Sequence, residues 1–163
     1  MAAGRSRSTK FTADAMLGSL ARKLRAFGFD TAYVSGLNDA AILSMCSRQG
    51  RLLLTADRQL VARASRREIP AFLVVGQNDR ARIIHVIAAA RDAGISLKRG
   101  EPRCSLCNGR LESKAVSAKV KVPESVARKH KTVYVCTKCR QVYWKGGHWK
   151  KLRRLEALFE RQP

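Results

Sequence analysis

Apolar positions in the first hundred residues alternate between short unbroken runs and stripes at helical spacing. Residues 10–14 read as a strand. Over 15–27, Met16, Leu17, Leu20, Ala21, Leu24 and Phe27 recur on one helix face, with Arg22, Lys23 and Arg25 on the other. Gly28 stands where a helix-ending glycine belongs. Residues 31–34 are short and β-prone. Asn38 or Asp39 can cap a second helix that runs through Cys46 and ends at Gly50. Leu52, Leu53 and Leu54 are apolar without alternation, as expected of a strand covered on both faces. A basic helix around 60–66, a strand over 70–75 and a helix over 79–93 follow, the last with Ile83, Ile84, Val86, Ile87 and Ala90 turned inward. This alternation predicts the α/β class: a parallel sheet with helices on both faces.

The pattern changes near 95–103, a basic stretch containing Gly and Pro. Beyond it come paired cysteines, two β-prone runs at 133–135 and 142–144, and a terminal helix from about His148 to Glu160. The expected organisation is a flexible basic arm at 1–9, an α/β domain at 10–97, and a small metal ribbon with a C-terminal helix at 98–163. The start, MAAGRSRSTK, has no apolar stretch behind it and reads as an arm rather than a secretory signal.

Charge narrows the class of partner. The 163 residues carry 33 Lys+Arg against 12 Asp+Glu, a formal net charge of +21. Confining that excess to one fold costs self-repulsion unless a polyanion neutralises it, which points to nucleic acid. No apolar stretch approaches the ~20 residues of a membrane span, and no basic helix has the bulky apolar face that membrane-surface binding prefers. No helix-turn-helix or dimer signature supports a DNA-binding regulator. Arg58, Arg63, Arg66 and Arg67 cluster in the first part of the chain, and Lys145, His148, Lys150, Lys151, Arg153 and Arg154 in the second. These are the candidate nucleic-acid contacts.

Against this background the scarce acids stand out. Thr-Ala-Asp occurs twice, ending at Asp14 and at Asp57, each time closing an apolar run. Ligands of open parallel sheets bind outside the carboxyl ends of the strands, so both acids are expected at that rim, and Asp39, after the second strand, can reach it too. Three carboxylates gathered there would repel one another unless a cation sat between them, and Mg²⁺ or Mn²⁺ suits an all-oxygen set. Each acid also has a purely structural use as a helix cap. Asp30, at the other end of its strand, reads as a turn residue and Asp79 as a cap.

Cys104-Ser-Leu-Cys107 and Cys136-Thr-Lys-Cys139 form two C-x₂-C knuckles, the pattern of a closed structural zinc site holding one ion. Asn108-Gly109 and Arg140 follow the knuckles as tight turns that bring backbone N–H groups toward sulfur. Cys46 reads as a small core residue, and His85 as a core histidine with its hydrogen bonds satisfied. Metal-bound thiolates fit a cytoplasmic location better than a disulfide framework would. In Tyr143-Trp144-Lys145-Gly146-Gly147-His148-Trp149, aromatics alternate with cations. They serve either to stack on unpaired bases or to dock the last helix, the second being the better reading of Trp149.

FTAD-x-MLGSLARKLRAFGFDT, the Asp39 region, LLLTAD and CSLCNGRL…VYVCTKCRQVYWKGGHW resemble the PIN-like RNase domain first named from the C-terminus of the Mut-seven exonuclease. The likeness spans about residues 10–155. It implies a PIN-like sheet, metal-dependent RNA cleavage, a zinc ribbon, and Asp14, Asp39 and Asp57 as the acids. Two departures stand out: Ala56 occupies a place where family members often carry Arg, and the next acid after Asp57 is Glu68. The expected function is a metal-dependent ribonuclease acting on tRNA, rRNA or mRNA. The alternative is a non-catalytic RNA-binding protein, ribosomal or ribosome-associated.

Overall fold

The computed structural model describes residues 8–117 and 119–160, so most of the expected arm lies outside the described residues. Four short strands, β1 (Lys10–Ala13), β2 (Asp30–Tyr33), β3 (Leu52–Thr55) and β4 (Ala71–Leu73), form a parallel sheet in the order β2-β1-β3-β4. From β1 the chain steps outward to β2, then crosses back to place β3 on the other side of β1. Right-handed crossovers in opposite directions put the connecting helices on opposite faces. Helix α1 (Gly18–Ala26) covers one face with α4 (Asp79–Asp92) and α6 (Gly147–Glu160), while α2 (Asp39–Gln49) and α3 (Arg58–Ser65) cover the other. The unbroken run on β3 follows from this: Leu52 and Leu54 pack on the α1 side and Leu53 on the α2 side.

Local chemistry explains the helix ends. Asn38 caps α2 by accepting from Ala41 N at 2.9 Å, and Gly50 ends it in the left-handed region at φ 59°. Asn78 caps α4 in the same way through Ala81 N. Asp79, expected as the cap, is instead the first helical residue and holds Lys23 and Ser19, each at 2.5 Å. The helix expected over 15–27 is broken, because Asp14 caps a separate 3₁₀ turn at Ala15–Leu17 before α1 begins.

Arg25 departs from the helical periodicity. Placed by its spacing on the solvent face, it is 6% exposed. Its Nε donates to Thr31 O at 2.8 Å, and its Nη1 to Ser105 O and Leu106 O at 2.9 and 3.0 Å. A buried guanidinium is tolerable only with such partners, and two of the three, the carbonyls of Ser105 and Leu106, come from the second part of the chain.

That part contains an antiparallel sheet of β5 (Leu111–Ala115), β6 (Thr132–Cys136) and β7 (Val142–Tyr143), with α5 (Glu124–Lys129) between β5 and β6. Strand β5, sequence LESKA, and helix α5 have no counterpart in the sequence reading; β5 exposes most of its residues and so shows no apolar alternation. Helix α6 returns to the first core. Phe159 packs against Phe29 and Phe27, with ring centroids 5.1 and 5.8 Å apart, and Leu152, Leu155 and Leu158 join it. Trp149 is only half-buried and lies outside that cluster. Among the described residues, no helix is long and apolar enough to cross a membrane.

Candidate catalytic rim and metal centre

The order in which strands are added reverses between the parallel neighbours β1 and β3, and open α/β sheets bind ligands at the carboxyl end of such a switch point. Ala13 pairs with Leu54 there, and Asp14 N donates to Leu54 O at 3.1 Å. The two Thr-Ala-Asp copies are therefore out of step by two residues. Asp14 stands beside Thr55, not beside Asp57.

Thr55 links the two acids. Its fully buried hydroxyl donates to Asp14 Oδ2 and accepts from Asp57 N at 2.9 Å. Asp14 Oδ1 accepts from Met16 N at 3.1 Å, and Asp57 Oδ1 caps α3 through Gln59 N and Leu60 N at 2.7 and 3.3 Å. Both carboxylates thus act as caps, while one buried hydroxyl holds the Asp14 carboxylate and the Asp57 backbone at adjacent strand ends. Asp14 is 8% exposed and Asp57 open to solvent. No pattern in the sequence marks Thr55 as more than a strand residue; only the register brings it to Asp14.

Asp39 opens α2, beside α3. Its Oδ2 pairs with Arg63 at 2.6 Å, and Arg63, Arg66 and Arg67 line with Asp39 a cavity of about 240 Å³. Arg58 is exposed next to Asp57. Asp14, Asp39 and Asp57 do not bring their oxygens together: among the described residues, only the four cysteines form a group of three or more candidate ligands within 4.8 Å of one another.

The four sulfurs of Cys104, Cys107, Cys136 and Cys139 meet the requirement for one tetrahedral zinc ion. Asn108 and Arg140, at φ 65°, turn the backbone sharply after each knuckle, and the N–H groups of Lys138 and Cys139 approach Cys136 Sγ at 3.4 Å. Gly109 is required: a Cβ there would fall 2.7 Å from Cys136 Sγ. Burial disfavours the Cys104 thiolate, but a hydrogen bond from the Tyr143 hydroxyl at 3.1 Å and backbone N–H groups outweigh it and bring the thiol down to about 6. Cys139 is exposed and receives a backbone N–H from Gln141, yet slight desolvation and its three sulfur neighbours push it up to about 12. Four thiolates cannot share this space without a cation.

The ribbon is anchored at the amino edge of the first sheet, opposite the acids. Asp30 begins β2 and is a clamp rather than a turn residue. It accepts from Asn108 Nδ2 and Arg51 Nη1, both at 2.8 Å, and Arg103 lies 3.6 Å away. Thr31 N donates in return to Asn108 Oδ1 at 3.1 Å. Burial opposes the Asp30 charge, yet these partners hold its carboxyl below the usual range. The connecting segment is equally tied: Gly100 N donates to Gly28 O and Arg103 N to Arg25 O, both at 2.9 Å. At about 3.3 Å per residue, four-residue strands separate this clamp from the acid rim by about 13 Å.

Lys145 and His148 line a second cavity, between the ribbon and α6. Lys150, Lys151, Arg153 and Arg154 are exposed along α6, with Arg153 3.5 Å from Glu156. Cys46 is buried in the core, which pushes its thiol up. His85 is half-buried, and its Nδ1 has no hydrogen-bond partner among the described residues, contrary to the expectation of a satisfied ring.

The family model described as the Mut7-C RNAse domain matches residues 9–155. No curated protein and no solved structure matches the chain.

Proposed function

Because the chain belongs to the Mut7-C RNAse domain family, we propose that it is a metal-dependent ribonuclease that gathers RNA on its basic surface and cuts at the carboxyl rim of the first sheet. The observation that carries this reading is the Thr55 hydroxyl, which ties Asp14 and Asp57 together at the β1/β3 switch point. Carboxylate and hydroxyl oxygens are the donors a hard divalent ion selects. Asp57 offers an outer oxygen, Oδ2, that has no protein partner among the described residues. Asp14 and Asp57 would hold Mg²⁺ or Mn²⁺, and Asp39 would join them on exchanging its Arg63 partner. A cation bound there would acidify a coordinated water and offset charge on the phosphodiester. Arg58, Arg63, Arg66 and Arg67 draw the RNA backbone toward the rim, and the buried Thr55 keeps Asp14 turned toward it. The ribbon does no chemistry, since all four ligand positions of its metal are protein sulfur.

The test is cleavage of single-stranded and structured RNA with Mg²⁺ or Mn²⁺ by the parent, Asp14→Asn and Asp57→Asn chains. Both substitutions should bring cutting to background and leave RNA affinity unchanged. Equal cutting by parent and variants would exclude this rim. The second reading, RNA binding without cleavage, is favoured by the 2.6 Å Arg63–Asp39 pair, which occupies one of the three acids. It predicts no cutting by the parent and co-sedimentation with ribosomal subunits in high salt.

A further inference from the structure

The cavity between the ribbon and α6 has a volume of about 420 Å³, within the range of small-ligand sites. Its walls are aromatic: Tyr134, Tyr143, Trp144 and Trp149 all line it. Trp144 is 39% exposed and Tyr134 36%, high values for large apolar side chains on a folded surface. Gly146 leaves the Trp144 indole uncrowded, since a Cβ there would approach its Nε1 to 3.2 Å. Lys145 holds its ammonium 5.7 Å from the centre of the Trp149 ring.

We propose that this cavity is a stacking site for an unpaired nucleobase of single-stranded RNA. The proposal rests on the RNA-binding part of the reading above but not on cleavage. Aromatic faces stack on any base and cost little entropy to present, whereas a paired base has no free face to offer. Charge complementarity selects the occupant. Arg103, Lys145 and His148 line the cavity, and Lys150, Lys151, Arg153 and Arg154 continue the positive surface along α6. The acid of the lining, Glu101, would repel a phosphate and accept from a base amino group. It thus favours the base inside and the backbone at the mouth.

The site lies on the ribbon side of the molecule, away from the acid rim. A strand held here would reach the rim only by continuing along the first sheet, which makes an unpaired segment part of the substrate.

Both tryptophans of the chain line the cavity, so intrinsic fluorescence reports on it directly. The full-length chain, in buffer without added magnesium, is titrated with a short unstructured oligoribonucleotide and with the same sequence as a duplex. Electrophoretic mobility shift measures binding in parallel. Saturable quenching by the single strand is expected, with little quenching by the duplex. Trp144→Leu keeps an apolar side chain but removes the stacking plane, and should weaken single-strand affinity about tenfold, the scale of one base–aromatic stack. Duplex affinity and zinc content should stay the same. Binding without quenching, or with undiminished affinity in Trp144→Leu, would overturn the cavity assignment and leave the ribonuclease reading in place. Quenching without cleavage by the parent would remove the ribonuclease and keep the stacking site. No RNA binding of either kind would end both.

Discussion

Replacing Thr55 with Val tests whether one buried hydroxyl holds the two acids of the rim. Valine has nearly the shape of threonine and keeps its β-strand preference, so packing on the fully buried β3 changes little. Two hydrogen bonds go. The bond to Asp14 is charge-assisted, a type worth about 1.5–3 kcal/mol, and the one from Asp57 N is ordinary, about 0.5–1.5 kcal/mol. Asp14, 8% exposed, would be left with Met16 N on its other oxygen. The expected loss is about 3 kcal/mol, read as a lower midpoint with unchanged slope in urea unfolding followed by circular dichroism. Thr55→Ser keeps the hydroxyl and removes one methyl, and should cost about 1 kcal/mol. RNA cleavage with Mn²⁺ should fall about 10–100-fold in Thr55→Val, the range for losing a group that orients a ligand, and largely return in Thr55→Ser. RNA affinity should not move. A Thr55→Val chain that loses under about 1 kcal/mol and cuts like the parent would show that the hydroxyl positions neither acid.

Three further outcomes are expected. Elemental analysis should find one zinc per chain, and Cys104→Ser or Gly109→Ala should release it; hydrogen exchange should then rise across β5–β7 before the parallel sheet is affected. Asp79 is partly desolvated, but Lys23, Ser19 and Arg82 outweigh that and hold its carboxyl below the usual range. A depressed folded value means that the stabilisation is complete above the unfolded value of about 4 and is lost as pH falls through the folded one. The melting-temperature gap between parent and Asp79→Asn should therefore be constant near neutrality and close in strong acid. Phe159→Ala should cost about 3–5 kcal/mol in denaturant unfolding, because the ring is 8% exposed between Phe27 and Phe29.

The residues themselves determined the class of the fold and the cysteine centre. Periodicity is a local property: Leu52–Leu54 reads as doubly covered because neighbours on both faces demand apolar groups, and two C-x₂-C pairs can be read without any contact being known. Gly50 was legible for the same reason, since caps act within one turn, and Asn38 was one of the two caps offered for that helix. Residues whose work crosses the chain were not legible. Arg25 falls at a solvent-facing position of α1 by its spacing, yet it is buried because the carbonyls of Ser105 and Leu106 arrive from the ribbon. Asp30 looked like a turn until Asn108 and Arg103 met it. The doubled Thr-Ala-Asp suggested equivalent acids, but parallel pairing set Asp14 against Thr55, and Arg63 reached Asp39 from another helix. Spacing within a strand or helix follows from bonds along the backbone, whereas which side chain stands opposite depends on sheet register and helix docking. Those are chosen by the burial of the whole core, and only the folded chain reveals them.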